Sequence, residues 1–368
     1  MGAKNLIIVG MSGGVDSAVS ASMLIEQGFE VEALHMTNWE DDEPFCTAAK
    51  DFQDARQVCK ELGITLHHVN FSKEYKEKVF DQTLREFDMG LTPNPDVLCN
   101  RMIKFNDFTN HAFRLGAKKI ATGHYARIKK DRQTLSLLKG LDEDKDQSYF
   151  LHSINPEIMN SVLFPIGEMK KKEVREYANK KGLPNYDKPD STGICFIGER
   201  PFKDFLKTFL PPKPGVIISE YGEELGTHEG LMYFTIGQRK DLGIGGIKGK
   251  SDQPWYVAKK DMENNRLVVV QGREHPILWT KKVFVEKVRW LNSELGETLE
   301  TKKSFQCLAK NRYRQSDVKC KVTPNIRGLE VDFKEPQWAI TYGQYMVFYE
   351  KDECLGGGKI MPKYCELD

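Results

Sequence analysis

The sequence has no long hydrophobic run and does not begin like a secreted protein. None of its apolar stretches approaches the roughly 20 residues that a membrane-spanning helix needs. A leader pattern is also missing, because Asn5 and a glycine-rich loop follow the first residues almost at once. We therefore predict a cytoplasmic protein with no membrane partner.

Paired cysteine motifs are missing as well. The chain contains eight cysteines, and no two of them form a C-x-x-C pair. Because structural zinc and iron–sulfur sites usually draw their thiolates from such pairs, we predict no structural zinc or iron–sulfur site and name no metal-ligating residues. A cytoplasmic location also argues against a disulfide framework, so the thiols are either buried and inert or used in chemistry.

The chain carries little net charge. A formal charge of +1 over 368 residues gives no global attraction to nucleic acid. Residues 302–327, however, hold eight Lys and Arg against one acid, Asp317. This local excess is consistent either with phosphate binding or with the solvated face of a β-domain. The length favours two or three domains.

A glycine-rich loop separates an apolar run from a helical segment near the N-terminus. Residues 6–9 predict a strand, and residues 18–27 predict a helix. Such a loop directs backbone N–H groups and serine hydroxyls toward one point at a helix N-terminus, where phosphates bind. It lacks the lysine of a P-loop and the spacing of G-x-G-x-x-G. The predicted nucleotide-binding residues are Gly10, Met11, Ser12, Gly13, Gly14, Val15, Asp16 and Ser17.

Strands and helices then alternate, which predicts a Rossmann-like α/β domain with a parallel sheet and helices on both faces. Ligands bind at the carboxyl ends of such strands, so Met36 and Gly123 are candidates for contacts with an adenine or a ribose. For Met36 alone, packing in the core is the simpler explanation. The expected elements are strands at residues 31–36, 66–71 and 119–122, and helices at residues 47–62 and from residue 73 onward.

Two further segments carry candidate reactive groups. Residues 91–100 contain two prolines and start a helix that we expect to extend to about Arg114. Asp96 is placed to cap this helix, and Cys99 would lie in its first turn, where the helix dipole lowers the pKa of a thiol. Cys195 lies on a short apolar stretch between glycines, which by itself is typical of a buried thiol.

Short β-branched runs separated by turn residues replace this alternation from about Gly215. After Pro276 nearly every segment predicts a short strand, which indicates a small C-terminal β-barrel. We therefore expect a nucleotide-binding catalytic domain at residues 1–205, a small central domain at 206–275 and a β-barrel domain at 276–368.

The glycine-rich loop resembles the S-G-G-x-D-S signature of the PP-loop ATP pyrophosphatases, which transfer AMP from ATP to an acceptor. Further motifs in the same order extend the likeness to the bacterial tRNA-specific 2-thiouridylases over essentially the whole chain. The motifs are Asn94-Pro95-Asp96-x-x-Cys99-Asn100, Gly123-His124-Tyr125, Lys145-Asp146-Gln147-Ser148-Tyr149, Gly193-Ile194-Cys195-Phe196-Ile197-Gly198, Phe234-Thr235-Ile236-Gly237-Gln238-Arg239, Arg312-Tyr313-Arg314 and Gly343-Gln344. One departure is Ala18, where many members have a second serine.

The resemblance implies ATP-dependent 2-thiolation of the wobble uridine (position 34) of tRNA, with Mg²⁺ as a cofactor beside ATP. Transfer of AMP to the C2 oxygen of the uridine would convert that oxygen into a good leaving group. A persulfide on Cys195 would supply the sulfur, and Cys99 would release it by forming a Cys99–Cys195 disulfide. Asp96 would move protons on the base.

The same resemblance implies a tRNA interface, to which the central domain would contribute. Its partners would be tRNAs for Lys, Glu and Gln, together with a sulfur donor that is either a relay protein or a cysteine desulfurase. A monomer is expected. The implied tRNA contacts are Asn94, Pro95, Asp96, His124, Lys145, Asp146, Gln147, Arg312, Tyr313 and Gln344.

Three alternatives remain open from the sequence. A PP-loop enzyme that forms amides, guanidines or lysidine would keep the loop and would not need the two cysteines. A sulfur-transfer enzyme acting at another tRNA position typically has C-x-x-C pairs or an added RNA-binding domain ahead of the loop, and this chain has neither. A non-catalytic RNA-binding protein that senses nucleotides is the third.

Overall fold

The computed structural model describes residues 5–39, 48–131, 134–190, 202–245, 252–301 and 303–362. The strands within these ranges are β1 (Leu6–Gly10), β2 (Glu30–Thr37), β3 (Leu66–Asn70), β4 (Lys119–Ala121), β5 (Ala126–Asp131), β6 (Thr134–Lys139), β7 (Val162–Leu163), β8 (Gly215–Ser219), β9 (Glu224–His228), β10 (Trp255–Asp261), β11 (Arg266–Gln271), β12 (Trp279–Trp290), β13 (Phe305–Lys310), β14 (Val318–Asn325), β15 (Gly328–Trp338), β16 (Tyr345–Glu350) and β17 (Glu353–Met361).

The helices lie mainly in the N-terminal half. The α-helices are α1 (Val15–Glu26), α2 (Ala48–Leu62), α3 (Ser72–Tyr75), α4 (Asp81–Asp88), α5 (Pro95–Cys99), α6 (Thr109–Arg114), α7 (Ser148–Leu151), α8 (Lys171–Lys180), α9 (Phe202–Lys207) and α10 (Ser293–Thr301). Two π-helical segments, Lys76–Phe80 and Asn100–Phe108, connect α3 to α4 and α5 to α6. In the described residues, no helix is long and apolar enough to cross a membrane.

A five-stranded parallel sheet forms the N-terminal core, in the order β3-β2-β1-β4-β7. Its central strand β1 is apolar throughout Leu6–Val9 because both of its faces are covered. Helices α1 and α8 pack over one face, and α5, α6 and the π-helical segments pack over the other. The predicted Rossmann-like α/β class is therefore confirmed.

The helix that contains Cys99 begins differently from the prediction. We expected Asp96 to cap it, but Asn94 is the N-cap, and its side-chain oxygen accepts a hydrogen bond from the backbone N–H of Val97 at 3.3 Å. Pro95 takes the first helical position, where its fixed φ and missing N–H are tolerated, so the cap must precede it. Cys99 is thus the fifth helical residue and lies beyond the first turn.

The second and third sheets are built from the C-terminal half. The central sheet has the order β10-β11-β8-β9. Strands β12-β15-β14-β13-β16-β17 form an antiparallel barrel, which closes where β17 pairs with β12. The predicted C-terminal β-barrel is therefore confirmed.

Glycines allow the barrel to close at β17. A Cβ atom on Gly356 would lie 2.1 Å from the carbonyl oxygen of Arg289 on β12, and one on Gly357 would lie 2.4 Å from that of Met346 on β16. Neither distance is compatible with a side chain at these positions. Glycine is unfavourable inside a strand and makes β17 hard to predict from the sequence. The same glycines allow the neighbouring strands β12 and β16 to approach closely.

The N-terminal half also contributes to the barrel sheet. The hairpin β5–β6 joins the edge of β17, where Leu137 and Leu138 pair with Cys354 and Glu353. Barrel side chains such as Tyr345 and Tyr349 lie in the same buried cluster as Cys99 and the helices beside it. The two halves thus share both a sheet and a hydrophobic core.

Candidate active site

The glycine-rich loop has the geometry of an anion site at the N-terminus of α1. Within the described part of the chain, no side chain caps this helix, whose N-cap residue is Gly14. The hydroxyls of Ser12 and Ser17 lie 3.3 Å apart, and Ser17 Oγ donates to the carbonyl oxygen of Gly14 at 2.9 Å. The loop therefore gathers hydroxyl groups and unpaired helix N–H groups at one point, as the sequence predicted.

Two glycines let other segments approach this loop. Gly13 has φ +81°, and a Cβ on it would lie 2.5 Å from the carbonyl oxygen of Asp51. Gly123 follows β4, and a Cβ there would lie 2.7 Å from the carbonyl carbon of Asp16 and 2.8 Å from the nitrogen of Ser17. Gly123 thus packs directly on the start of α1.

The two candidate methionines differ in burial. Met11 is 1% exposed, and its backbone N–H donates to the carbonyl oxygen of Leu34 at 3.0 Å. Its side chain is therefore part of the core, and its backbone fixes the start of the loop. Met36 is half-buried near the carboxyl end of β2, the edge of the sheet at which the loop opens.

A network of charges surrounds Asp16. Lys171 Nζ lies 2.8 and 2.9 Å from the two carboxylate oxygens of Asp16, and the hydroxyl of Tyr125 donates to one of them at 2.8 Å. Lys171 also pairs with Asp190 at 2.6 Å. Burial and the adjacent Asp16 carboxylate raise the pKa of Tyr125, so its hydroxyl stays a donor.

Asp190 collects three cations beside the loop. It pairs with Lys145 at 2.7 Å and with Arg175 at 3.2 Å, in addition to Lys171. Partial burial opposes ionisation of this carboxyl, but the hydrogen bonds from Lys145 and Lys171 outweigh it and lower the pKa of Asp190. Sequence reasoning missed Lys171 and Asp190, since Lys171 is one of three consecutive lysines and nothing in the run distinguishes it.

Cys99 lies at the same edge of the sheet. Its thiol is 1% exposed, and the amide nitrogen of Asn38, which directly follows β2, lies 3.9 Å from the sulfur. The side-chain oxygen of Asn38 is buried and has no hydrogen-bond partner among the residues that the structure describes. Sequence reasoning missed Asn38, whose only signal was its position at the end of a parallel strand.

The segment before Cys99 is held by the barrel. Gln344 Nε2 donates to the carbonyl oxygens of Thr92 at 2.8 Å and Pro93 at 3.3 Å, and the N–H of Thr92 donates to the carbonyl oxygen of Tyr342 at 2.9 Å. The structure therefore brings Gln344 next to the segment that directly precedes Asn94, although the two are far apart in sequence.

The predicted contacts around residue 146 are mostly engaged inside the protein. Asp146 is 4% exposed and accepts hydrogen bonds from the backbone N–H groups of Gly140 and Ser148. Gln147 Oε1 accepts from the N–H of Tyr125 at 3.0 Å. His124 is 8% exposed, and burial holds its pKa well below the usual value. These side chains stabilise residues 124–125 and 140–148, which lie beside the glycine-rich loop and which we call the wall.

Arg312 and Tyr313 lie on the loop between β13 and β14. Arg312 Nη2 donates to the carbonyl oxygen of Trp338 at 2.5 Å, and its guanidinium lies 5.7 Å from the Trp338 ring. The Tyr313 hydroxyl donates to the carbonyl oxygen of Lys145 at 3.3 Å, and its ring packs on Phe150. This loop therefore borders the same wall as Lys145.

Cys195 lies outside the described residues. Its predicted pairing with Cys99 stays a prediction, as does the strand expected around it. The described residues bring together the glycine-rich loop, Gly123, Lys145 and Gln147. They also place Cys99 beside Asn38 at the same sheet edge, and Gln344 against the segment before Asn94.

Comparison with known families agrees with this arrangement. Residues 5–199 match the family described as tRNA methyl transferase HUP domain. Residues 203–271 match the tRNA methyl transferase PRC-barrel domain, and residues 280–360 match the aminomethyltransferase beta-barrel domain. The three matches together cover most of the chain.

Curated relatives are similar over nearly their whole length. The protein of Hahella chejuensis named tRNA-specific 2-thiouridylase MnmA is 51% identical over 356 residues, which cover 96% of each chain. The proteins of the same name from Legionella pneumophila (strain Paris) and Pseudomonas putida (strain GB-1) are 51% and 52% identical and cover 97% of this chain and 98% and 95% of their own. The chain therefore belongs to the tRNA-specific 2-thiouridylase family.

Proposed function

We propose that this protein is an ATP-dependent sulfurtransferase that converts the wobble uridine of tRNA into 2-thiouridine, releasing AMP and pyrophosphate. The observation that carries the proposal is that one edge of the parallel sheet holds both an uncapped helix N-terminus with its glycine-rich loop and, beyond Asn38, a buried cysteine. A phosphate site and a thiol at one edge suit a reaction that activates an oxygen and replaces it with sulfur.

The loop from Gly10 to Ser17 would hold the phosphates of ATP. Backbone N–H groups and the Ser12 and Ser17 hydroxyls would stabilise negative charge as pyrophosphate leaves, and Lys171 would add a cation once the phosphates compete with Asp16 and Asp190 for it. Met36 and Gly123 would border the adenosine. The AMP group would pass to the C2 oxygen of the uridine.

Mg²⁺ fits this site through the carboxylate of Asp16, whose side chain is 31% exposed beside the loop. Magnesium favours one or two carboxylate oxygens together with phosphate oxygens, and when bound it would neutralise charge on the leaving pyrophosphate. Lys171 and Tyr125 would keep the carboxylate oriented toward the loop.

The sulfur would arrive as a persulfide on Cys195. Attack by Cys99 on the inner sulfur would form the Cys99–Cys195 disulfide and release the outer sulfur to bond with C2, after which AMP leaves with the C2 oxygen. Asp96, one turn before Cys99, would accept or return the proton of the base. A sulfur donor protein, either a relay protein or a cysteine desulfurase, would reload Cys195 after the disulfide is reduced.

The tRNA would lie across the surface that the N-terminal half and the barrel form together. Asn94, Pro95 and Asp96 would contact the base, and Arg312, Tyr313 and Gln344 would contact the anticodon arm from the barrel side, with phosphate contacts and stacking. Four further residues would support the tRNA site indirectly, by stabilising the protein beside the glycine-rich loop: His124, Lys145, Asp146 and Gln147. The substrates would be tRNAs for Lys, Glu and Gln.

We further propose that the protein acts as a cytoplasmic monomer. Its three functional segments would divide at residues 205/206 and 275/276, with the central segment adding to the tRNA surface.

Mass spectrometry of anticodon nucleosides tests this function. Purified protein, a tRNA transcript for Glu, ATP, Mg²⁺ and a persulfide donor should yield 2-thiouridine at the wobble position, together with AMP and pyrophosphate. Cys99→Ser and Cys195→Ser should each abolish the product, whereas Cys59→Ser, at a buried cysteine that the proposed chemistry does not use, should retain it. Absence of 2-thiouridine from the parent reaction would reject this function, and full 2-thiouridine formation by both catalytic variants would reject the proposed roles of the two cysteines.

A further inference from the structure

Two cysteines that the proposed reaction does not use face each other on the barrel. Cys307 on β13 lies directly opposite Cys320 on β14, in a pairing without a register shift. Their sulfur atoms are 3.6 Å apart. Directly opposed residues of antiparallel strands have Cα atoms about 4.5 to 5.5 Å apart, which lies within the range that a disulfide spans.

The environment of the pair favours slow, reversible oxidation. Cys320 is buried, whereas Cys307 is half-buried and reachable from solvent. The hydrogen bond between the two thiols, followed by burial, raises the pKa of Cys307. The Cys307 thiol is therefore protonated at neutral pH, and its oxidation should be slow there and faster in alkaline buffer.

The pair closes the hairpin whose loop holds the proposed tRNA contacts. Residues 311–317 connect β13 to β14, and Arg312, Tyr313 and Arg314 lie on this loop. In the structure, Arg312 is bound to the Trp338 carbonyl and Tyr313 to the Lys145 carbonyl. Both groups must leave these internal partners before they can contact a tRNA fully.

We propose that Cys307 and Cys320 form a reversible disulfide under oxidising conditions, and that this bond holds the loop in its internally bonded conformation and so weakens tRNA binding. The effect on tRNA rests on the function proposed above, whereas formation of the disulfide does not. A covalent bond at the middle pair of the β13–β14 ladder, two pairs from the loop, reduces the freedom of the loop because it closes a short ring around it.

A small-molecule disulfide such as oxidised glutathione supplies the oxidising equivalents. The Cys307 thiolate attacks one sulfur of the glutathione disulfide, which forms a mixed disulfide and releases one glutathione thiolate. The Cys320 thiolate then attacks the Cys307 sulfur and releases the second glutathione. Two protein thiols are oxidised, one disulfide is reduced, and the two protons of the protein thiols pass to the two glutathione thiolates. A reduced thiol reverses each step.

The test uses the full chain with Cys99→Ser and Cys195→Ser, since the proposed catalytic pair could also oxidise. After equilibration in oxidised or reduced glutathione, digestion without reductant and mass spectrometry should show peptides containing Cys307 and Cys320 joined, about 2 Da lighter than the two thiols. Fluorescence anisotropy with a tRNA transcript for Glu should then show affinity about tenfold weaker in the oxidised sample, comparable to losing one charge-assisted contact.

The matched controls are the same protein with Cys307→Ser or with Cys320→Ser, which should bind tRNA equally in both buffers. Free thiols at both positions after oxidation would overturn the proposal, as would glutathione retained on Cys307. Equal tRNA affinity of the cross-linked and reduced forms would show that the bond does not control the loop. If the reduced protein fails to bind tRNA while the cross-link forms, the proposed function fails and the disulfide stands.

Discussion

The surroundings of Asp16 and Cys99 differ sharply, although both lie at one edge of the same sheet. Asp16 is bound by Lys171 and Tyr125 and borders a cluster of ion pairs, whereas Cys99 is buried among apolar side chains with the uncharged amide of Asn38 beside it. We call the loop of residues 10–17 with Lys171 the nucleotide end, and Asn38 with residues 94–99 the sulfur end.

This difference matches the two halves of the proposed reaction. A polyanion is held by charges and backbone dipoles, and the cations at the nucleotide end are already paired with carboxylates that phosphates can displace. In the proposed reaction the Cys99 thiol must attack only the persulfide on Cys195, and the burial of Cys99 keeps other thiols and disulfides away from it. We therefore expect variants at the two ends to separate ATP binding from sulfur transfer.

The largest effect should come from Gly13→Ala at the nucleotide end. The new Cβ would meet the Asp51 carbonyl oxygen at 2.5 Å, at a backbone φ of +81°. The loop must then shift away from its N–H geometry, so we expect ATP affinity to fall roughly 100-fold or more, measured by isothermal titration calorimetry.

Gly28→Ala is the matched control for this prediction. Gly28 has nearly the same φ, +82°, but beyond its chain neighbours no atom of the described residues lies within 4 Å of its added Cβ. The Gly28→Ala substitution should lower the free energy of unfolding by about 1 kcal/mol and leave the ATP affinity unchanged. Equal ATP affinity in the two variants would contradict the role of close packing at Gly13.

A smaller loss should follow Lys171→Met, also at the nucleotide end. Removing the cation leaves Asp16 and Asp190 without their shared partner and removes a charge from the proposed phosphate site, so pyrophosphate release should slow roughly 10- to 100-fold. Lys172→Met is the control, because the Lys172 side chain is 86% exposed. The two variants are compared in a pyrophosphate-release assay, and similar rates in both would remove Lys171 from the site.

Asn38→Ala should affect only the sulfur end. Loss of the amide beside the Cys99 sulfur should reduce the thiolation rate about tenfold at saturating tRNA, while the KM for ATP stays constant. Single-turnover formation of 2-thiouridine measures the rate. Asn110→Ala on the exposed face of α6 is the control, and a change in the KM for ATP in Asn38→Ala would contradict the separation of the two ends.

The smallest effect on activity at neutral pH should come from His152, which belongs to neither end. Burial lowers the pKa of His152 to about 4, below its unfolded value of 6.5. The unfolded state therefore binds the proton first, so stability is constant above pH 6.5 and falls as the pH drops toward 4. Between pH 7 and pH 5 we expect a loss of about 2 kcal/mol from this residue.

Chemical denaturation at several pH values measures this slope in the parent protein and in His152→Phe. The variant should lose part of the pH dependence whatever its absolute stability. Where acid unfolds the parent, ATP binding and sulfur transfer should be lost together, because the His152 ring packs against Gly357 of the barrel and unfolding would remove both ends. An identical slope in the two proteins would contradict this assignment.

The sequence predicted the nucleotide end better than the sulfur end for physical reasons. The apolar run before the glycines, the loop and the helix are local features, so β1, the loop and α1 were predictable without the rest of the fold. The cap at Asn94 was not, because both Asn94 and Asp96 are good caps and only the position of Pro95 decides between them. Asn38 and Lys171 become site residues only through long-range packing.

The barrel shows the same limit. Strands with β-branched residues were predictable, but β17 contains three successive glycines, Gly356–Gly358, and reads as a turn. Its strand conformation comes from pairing with β12 and β16, which no local pattern encodes. Assignments that rest on resemblance, such as the Cys99–Cys195 disulfide, stay predictions.

The pairing of β6 with β17 has a consequence for synthesis of the chain. Ser136 and its partner Glu353 are 217 residues apart, so at about 5 to 20 residues per second the ribosome needs roughly 10 to 40 seconds to complete the partner strand. During that time the nascent N-terminal half carries an open strand edge and the uncovered ring of Tyr149. Holdase chaperones should therefore bind the nascent chain during this interval of translation.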